Sequence, residues 1–130
     1  MNQNPKIVFV CEHGAAKSIL AAAYFNTLAS ENDLAMTAVA RGTHPDVELS
    51  SITVSGLRAE GLTPSESIPV RLTREEMESA QRVVSFCTLP AEYLQKAVVE
   101  YWDDIPPVSE DYERSRDVMI QHLKELIKTL

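Results

Sequence analysis

Residues 6–18 read Lys-Ile-Val-Phe-Val-Cys-Glu-His-Gly-Ala-Ala-Lys-Ser. Ile7 to Val10 is β-branched and aromatic with no polar alternation, the pattern of a central strand buried on both faces. Cys11 closes that run, and the loop after it contains the small residues Gly14, Ala15 and Ala16. The Ala- and Leu-rich stretch from Ser18 to Ser30 then predicts a helix. A doubly buried strand that passes through a tight loop into a helix calls for a layered α/β architecture. The same geometry aims backbone N–H groups at the loop's centre, where an anion can sit. Those amides would also stabilise a thiolate on Cys11. A nucleophile and an oxyanion cradle therefore lie side by side in the chain.

The remaining segments support this architecture. Thr37 to Ala40 is a second candidate strand, followed by the turn Arg41 to Pro45. Ser50 to Glu60 predicts a helix stopped by Gly61. Thr73-Arg-Glu-Glu76 is a capping-box pattern opening a short helix. Arg82 to Cys87 is a further buried strand, and Ala91 to Trp102 is expected to be partly helical. Asp103 to Pro107 must be a loop, because its two prolines break regular structure. Ser109-Glu-Asp111 is an acidic cap for a last helix running towards Leu130. Strands alternating with helices predict a parallel sheet covered on both faces, with ligands beyond the carboxyl ends of the strands. Cys11 and Cys87 both close strands, so both belong on that edge.

The length of 130 residues suits one domain, and 45% apolar residues suffice for a packed interior. A net charge of -7 argues against nucleic acid as a partner. Two cysteines do not make a disulfide framework, so a reduced, cytoplasmic setting is expected. Met1 to Pro5 lacks the basic start of a signal peptide, and no apolar run approaches the ~20 residues that span a bilayer.

Within the loop, Lys17 supplies a cation at the far end, and Ser18 either caps the helix or donates its hydroxyl to the sulfur. Glu12 is expected to point to solvent. His13 pairs with the thiolate, lines the pocket mouth or is simply an exposed loop histidine. Trp102 is expected to be a packing residue, and His122 a solvent-facing one. For Cys87 a role in thiol chemistry and a role as a small core residue both stand.

The run Cys11-Glu-His-Gly-Ala-Ala-Lys-Ser18 resembles the motif of the low-molecular-weight protein tyrosine phosphatase superfamily: cysteine, five residues, arginine, serine, after an apolar strand. The likeness continues through Ala22-Ala-Tyr-Phe25, Gly42-Thr43, Gly56 to Gly61, Leu72-Thr73, Val83 to Cys87 and Trp102-Asp-Asp104. The last helix, with Arg116-Asp117, resembles the thioredoxin-type arsenate reductase branch. The resemblance implies a single three-layer domain over residues 1–130, with a four-stranded parallel sheet of the phosphotyrosine phosphatase I type. It implies that Cys11 attacks a phosphate monoester or arsenate held by residues 12–18, that is Glu12, His13, Gly14, Ala15, Ala16, Lys17 and Ser18. Asp104, or after it Asp103, would be the general acid. Cys87 would take up an arsenylated Cys11 and leave a disulfide for thioredoxin, glutaredoxin or glutathione to reduce. Oxyanions of the phosphate, arsenate or sulfate type are the implied ligands, without a metal or organic cofactor.

The departures matter as well. Lys17 stands where the motif has arginine, and lysine lacks the planar fork that grips two oxyanion oxygens. Gly14 replaces an asparagine that braces the loop, and Ala40-Arg41 replaces the usual serine and alanine before Gly42-Thr43. Arg41 either swings to the pocket or is ion-paired elsewhere. The Asp-Pro pair is interrupted as Asp104-Ile105-Pro106, and Leu94 stands where the reductase relay has a further cysteine. An oxyanion-binding or regulatory domain without turnover is the alternative that these departures imply.

Overall fold

A computed structural model of the chain describes residues 6–94 and 98–130. Met1 to Pro5, on which the signal-peptide expectation falls, lies outside them, as does the centre of the 91–102 stretch. The strands are β1 (Lys6–Cys11), β2 (Thr37–Gly42), β3 (Arg82–Ser85) and β4 (Val99–Tyr101). The helices are α1 (Lys17–Glu31), α2 (Ser51–Ala59), α3 (Arg74–Ser79) and α4 (Tyr112–Lys128). All strand pairs are parallel, in the order β2-β1-β3-β4, so β1 is central as its composition requires.

Alternation along β1 divides the core in two. Ile7 and Phe9 face α1 and α4, packing with Ile19, Phe25, Trp102, Met119 and Leu123. Val8 and Val10 face the other way, onto Leu72, Met77, Val83 and Leu89. Phe9 is fully buried and touches the rings of Phe25, Phe86 and Trp102, with centroids 5.9–6.3 Å apart. Truncating a ring in such a place costs about 3–5 kcal/mol.

The caps follow the expected chemistry. Ser50 caps α2, Thr73 and Glu76 form the capping box of α3, and Asp111 caps α4. Gly61 follows α2 with φ +76. One expectation is met in part and one needs correction. Among its described residues the 91–102 stretch is helical in the short 3-10 turn Ala91–Tyr93, while Val99–Tyr101 is an edge strand. Pairing of Val83 with Val99 decides this, and it is a long-range contact. β3 ends at Ser85, so Cys87 sits in the turn just beyond it. Among the described residues no helix is long and apolar enough to cross a membrane.

Candidate active site

The parallel sheet delivers the ends of β1, β2 and β3 to one edge, where a cavity of about 830 Å³ opens. Its floor is the loop from Cys11 to Lys17. One wall is Phe86 and Cys87 after β3, and the other is residues 46–50 after β2, with Ser109 closing one side. Cys11 and Cys87 are both free thiols.

Four backbone hydrogen bonds tie the 11–18 loop to the segment after β2. The carbonyls of Cys11, Glu12, His13 and Ala15 accept from the N–H groups of Thr43, His44, Asp46 and Ser50, at 2.7–3.3 Å. In a trans peptide the N–H lies opposite the C=O of the preceding residue. Carbonyls drawn to one side therefore turn the next N–H groups to the other. The amides of His13 to Lys17 donate to no protein acceptor among the described residues. The N-cap of α1 is Ala16, which offers no side chain to the first turn. Unpaired amides at a helix N-terminus form an anion site.

Gly14 makes the tight turn with φ +62, a conformation that costs glycine little. A Cβ there would lie 2.9 Å from the Gly42 nitrogen, and a Cβ on Gly42 would lie 2.7 Å from the Gly14 nitrogen. Two glycine backbones in contact thus brace the loop at the position where the resembled motif uses an asparagine.

Ser18 lies inside α1 and does not cap it. Its hydroxyl sits 3.0 Å from the Cys11 sulfur, fully buried. Lys17 lines the cavity and forms no ion pair among the described residues. Arg41 is not available to replace the missing guanidinium, because Glu76 holds it at 2.7 Å and Glu66 at 3.2 Å. Glu12 and His13 line the mouth, and His13 is turned towards Asp46 at 3.3 Å, not towards the thiol.

Cys87 shares the cavity with Cys11 and lies beside the Ser85 hydroxyl, which donates to the Cys87 carbonyl at 2.6 Å. Burial pushes the Cys87 thiol above its ordinary range, and the Ser85 hydroxyl pulls it back in part. Cys11 and Glu12 add to the upward push, while Lys17 opposes it.

The two aspartates separate. Asp104, the first candidate for the general acid, has both its oxygens 2.8–2.9 Å from His122 Nε2. That hydrogen bond holds the Asp104 carboxyl below its usual range. His122 is accordingly not a free surface residue, since its ring also stacks on the buried Trp102 at 4.8 Å. Asp103 lines a smaller cavity of about 350 Å³ with Phe86 and Cys87, next to the main one. The carboxylates that line the main cavity are Glu12, Asp46 and Glu48. Asp46 and Glu48 were missed from sequence. Their signal was available, because the turn after the second strand must open on the same sheet edge as Cys11.

The profile of the family described as low molecular weight phosphotyrosine protein phosphatase matches residues 6–130. Among solved structures, the chain is similar to a low molecular weight protein tyrosine phosphatase from T. tengcongensis (TM-score 0.86, 20% identity, 97% of this chain and 99% of that one). It is similar to an arsenate reductase from Archaeoglobus fulgidus (TM-score 0.78, 22% identity, 94% and 98% covered). It is also similar to a thioredoxin-dependent arsenate reductase from Corynebacterium glutamicum (TM-score 0.76, 18% identity, 96% and 61% covered). No curated protein sequence matches the chain. At these identities the structural likenesses establish the fold, a four-stranded parallel α/β domain. The profile match over nearly the whole length establishes the family: the chain belongs to the low molecular weight phosphotyrosine protein phosphatases.

Proposed function

We propose that the chain is a cysteine-dependent phosphomonoesterase with Cys11 as its nucleophile. The observation that carries this is the row of unpaired amides from His13 to Lys17 beside a thiol hydrogen-bonded to Ser18. The Cys11 sulfur attacks phosphorus, forming an S–P bond as the ester P–O bond breaks. The amides and Lys17 meet the equatorial oxygens, where negative charge grows in the transition state. Ser18 donates to the thiolate and keeps it aimed. The leaving oxygen takes its proton from a carboxylic acid. Asp103 is the better placed of the loop aspartates, because Asp104 is committed to His122. Water then cleaves the cysteinyl phosphate and releases inorganic phosphate.

Cys87 favours a second function, thiol-dependent arsenate reduction, because it lines the same cavity as Cys11. Arsenate would esterify Cys11 with loss of water. Cys87 would attack the Cys11 sulfur, forming the disulfide as two electrons pass to arsenic and arsenite leaves. An external thiol, from thioredoxin, glutaredoxin or glutathione, would then restore both cysteines. Lys17 favours a third outcome, oxyanion binding without turnover, since one charge-assisted hydrogen bond fewer costs about 1.5–3 kcal/mol.

Steady-state assays separate the three. Turnover of p-nitrophenyl phosphate that disappears in Cys11→Ser supports the phosphatase. Arsenite production that needs added thiol and both cysteines supports the reductase. Phosphate binding with neither activity supports the binder.

A further inference from the structure

The cavity is larger than an oxyanion requires. At about 830 Å³ it has the size of a site for an organic ligand. Its lining beyond the anion cradle is of two kinds. Val47, 88% exposed, with Leu49 and Phe86, offers apolar contact. Glu12, Asp46 and Glu48 offer three carboxylates. Among the described residues the only cation lining the cavity at neutral histidine is Lys17, which the oxyanion itself engages. His13 lies 3.8 Å from Glu12 and 3.3 Å from Asp46. Even a charged His13 leaves the lining negative, with three carboxylates against two cations. Glu48 has no ion-pair partner among the described residues. The Arg71 guanidinium is anchored on the Thr43 carbonyl at 3.0 Å, outside the cavity.

An acidic mouth above an anion cradle repels a bare dianion and favours one that brings its own positive charge. We propose that the preferred substrates are phosphate esters whose organic part carries an ammonium or guanidinium group beside an apolar stem. This rests on the phosphatase function and names the substrate class for that site. Asp46 and Glu48 are its specificity-determining residues, meeting the cation while Val47 and Leu49 meet the stem.

The test uses phenyl phosphates whose para substituent ends in an ammonium, an amide or a carboxylate. Phosphotyrosine peptides flanked by lysine, alanine or glutamate form a second arm, which distinguishes a polypeptide source of the cation from a small-molecule one. kcat/KM is expected to fall from ammonium to carboxylate by about tenfold in low salt. The series should contract towards parity at ~1 M salt, where screening acts over ~3 Å. Asp46→Asn combined with Glu48→Gln should reduce the ammonium-to-carboxylate ratio to about twofold, a ratio that a merely structural role would leave in place. A flat series in the intact protein, with Cys11-dependent turnover of the neutral ester, overturns the substrate class and leaves the phosphatase standing. Absence of turnover for every ester overturns both.

Discussion

Cys11 and Cys87 invite comparison, since Cys11 ends β1 and Cys87 lies in the turn after β3 on the same sheet edge, each is a free thiol, and each has a serine beside it. The Ser18 hydroxyl is spent on the Cys11 sulfur at 3.0 Å. The Ser85 hydroxyl is spent on the Cys87 carbonyl at 2.6 Å and stands 3.7 Å from the sulfur. Cys11 opens a loop whose amides are unpaired, whereas the Cys87 backbone N–H is already taken by Ser85. Burial is the largest influence on the Cys87 thiol and pushes it above its ordinary range. Position at the sheet edge is therefore not what sets the proposed nucleophile apart from the second thiol. The difference lies in where the neighbouring hydroxyl and amide dipoles point.

Substitutions test that contrast. Cys11→Ser should abolish p-nitrophenyl phosphate turnover, by on the order of 10⁴-fold or more. Cys87→Ser should change it far less, and equal losses in initial rate would remove the contrast. Ser18→Ala should lower kcat by roughly ten- to a hundredfold, the size of one charge-assisted hydrogen bond of about 1.5–3 kcal/mol. Ser85→Ala should act on Cys87 alkylation instead.

Gly42→Ala places a methyl group 2.7 Å from the Gly14 nitrogen and must shift the loop. A destabilisation of about 1–3 kcal/mol is expected from urea unfolding, together with weaker phosphate binding. Lys17→Arg, which restores the planar fork, should raise kcat/KM by about tenfold. An unchanged rate would mean that the loop does not hold the oxyanion's oxygens within reach of that side chain.

The smallest effect concerns pH. The folded Cys87 thiol lies above its ordinary range, so its thiolate appears at higher pH than in the unfolded chain. Iodoacetamide labelling of Cys87 should therefore rise later in a pH titration of the native protein than of the protein in urea. Coincident curves would contradict the burial argument for this thiol.

Much of the site was legible in the chain because it is local. The strand, the small-residue loop and the helix of residues 6–31 follow one another, and their periodicity and residue sizes point to one geometry. The capping box of α3, the Ser50 and Asp111 caps and the Gly61 stop are local for the same reason. What escaped depends on distant partners. β4 is three residues long, and only its pairing with β3 makes it a strand. The carboxylate of Asp104 meets His122, 18 residues away, a contact that sequence neighbours do not announce. Arg41 offered a guanidinium that Glu66 and Glu76 hold elsewhere. Sequence proximity to a motif says little about a charged side chain whose partner arrives from another element.

The central claim is that Cys11 becomes covalently phosphorylated. Rapid-quench mass spectrometry of the intact protein mixed with p-nitrophenyl phosphate, followed by digestion, tests it directly. A phosphoryl adduct confined to the peptide holding Cys11, formed and lost at the rate of turnover, is the predicted result. Turnover without that adduct, or an adduct on Cys87, would contradict it.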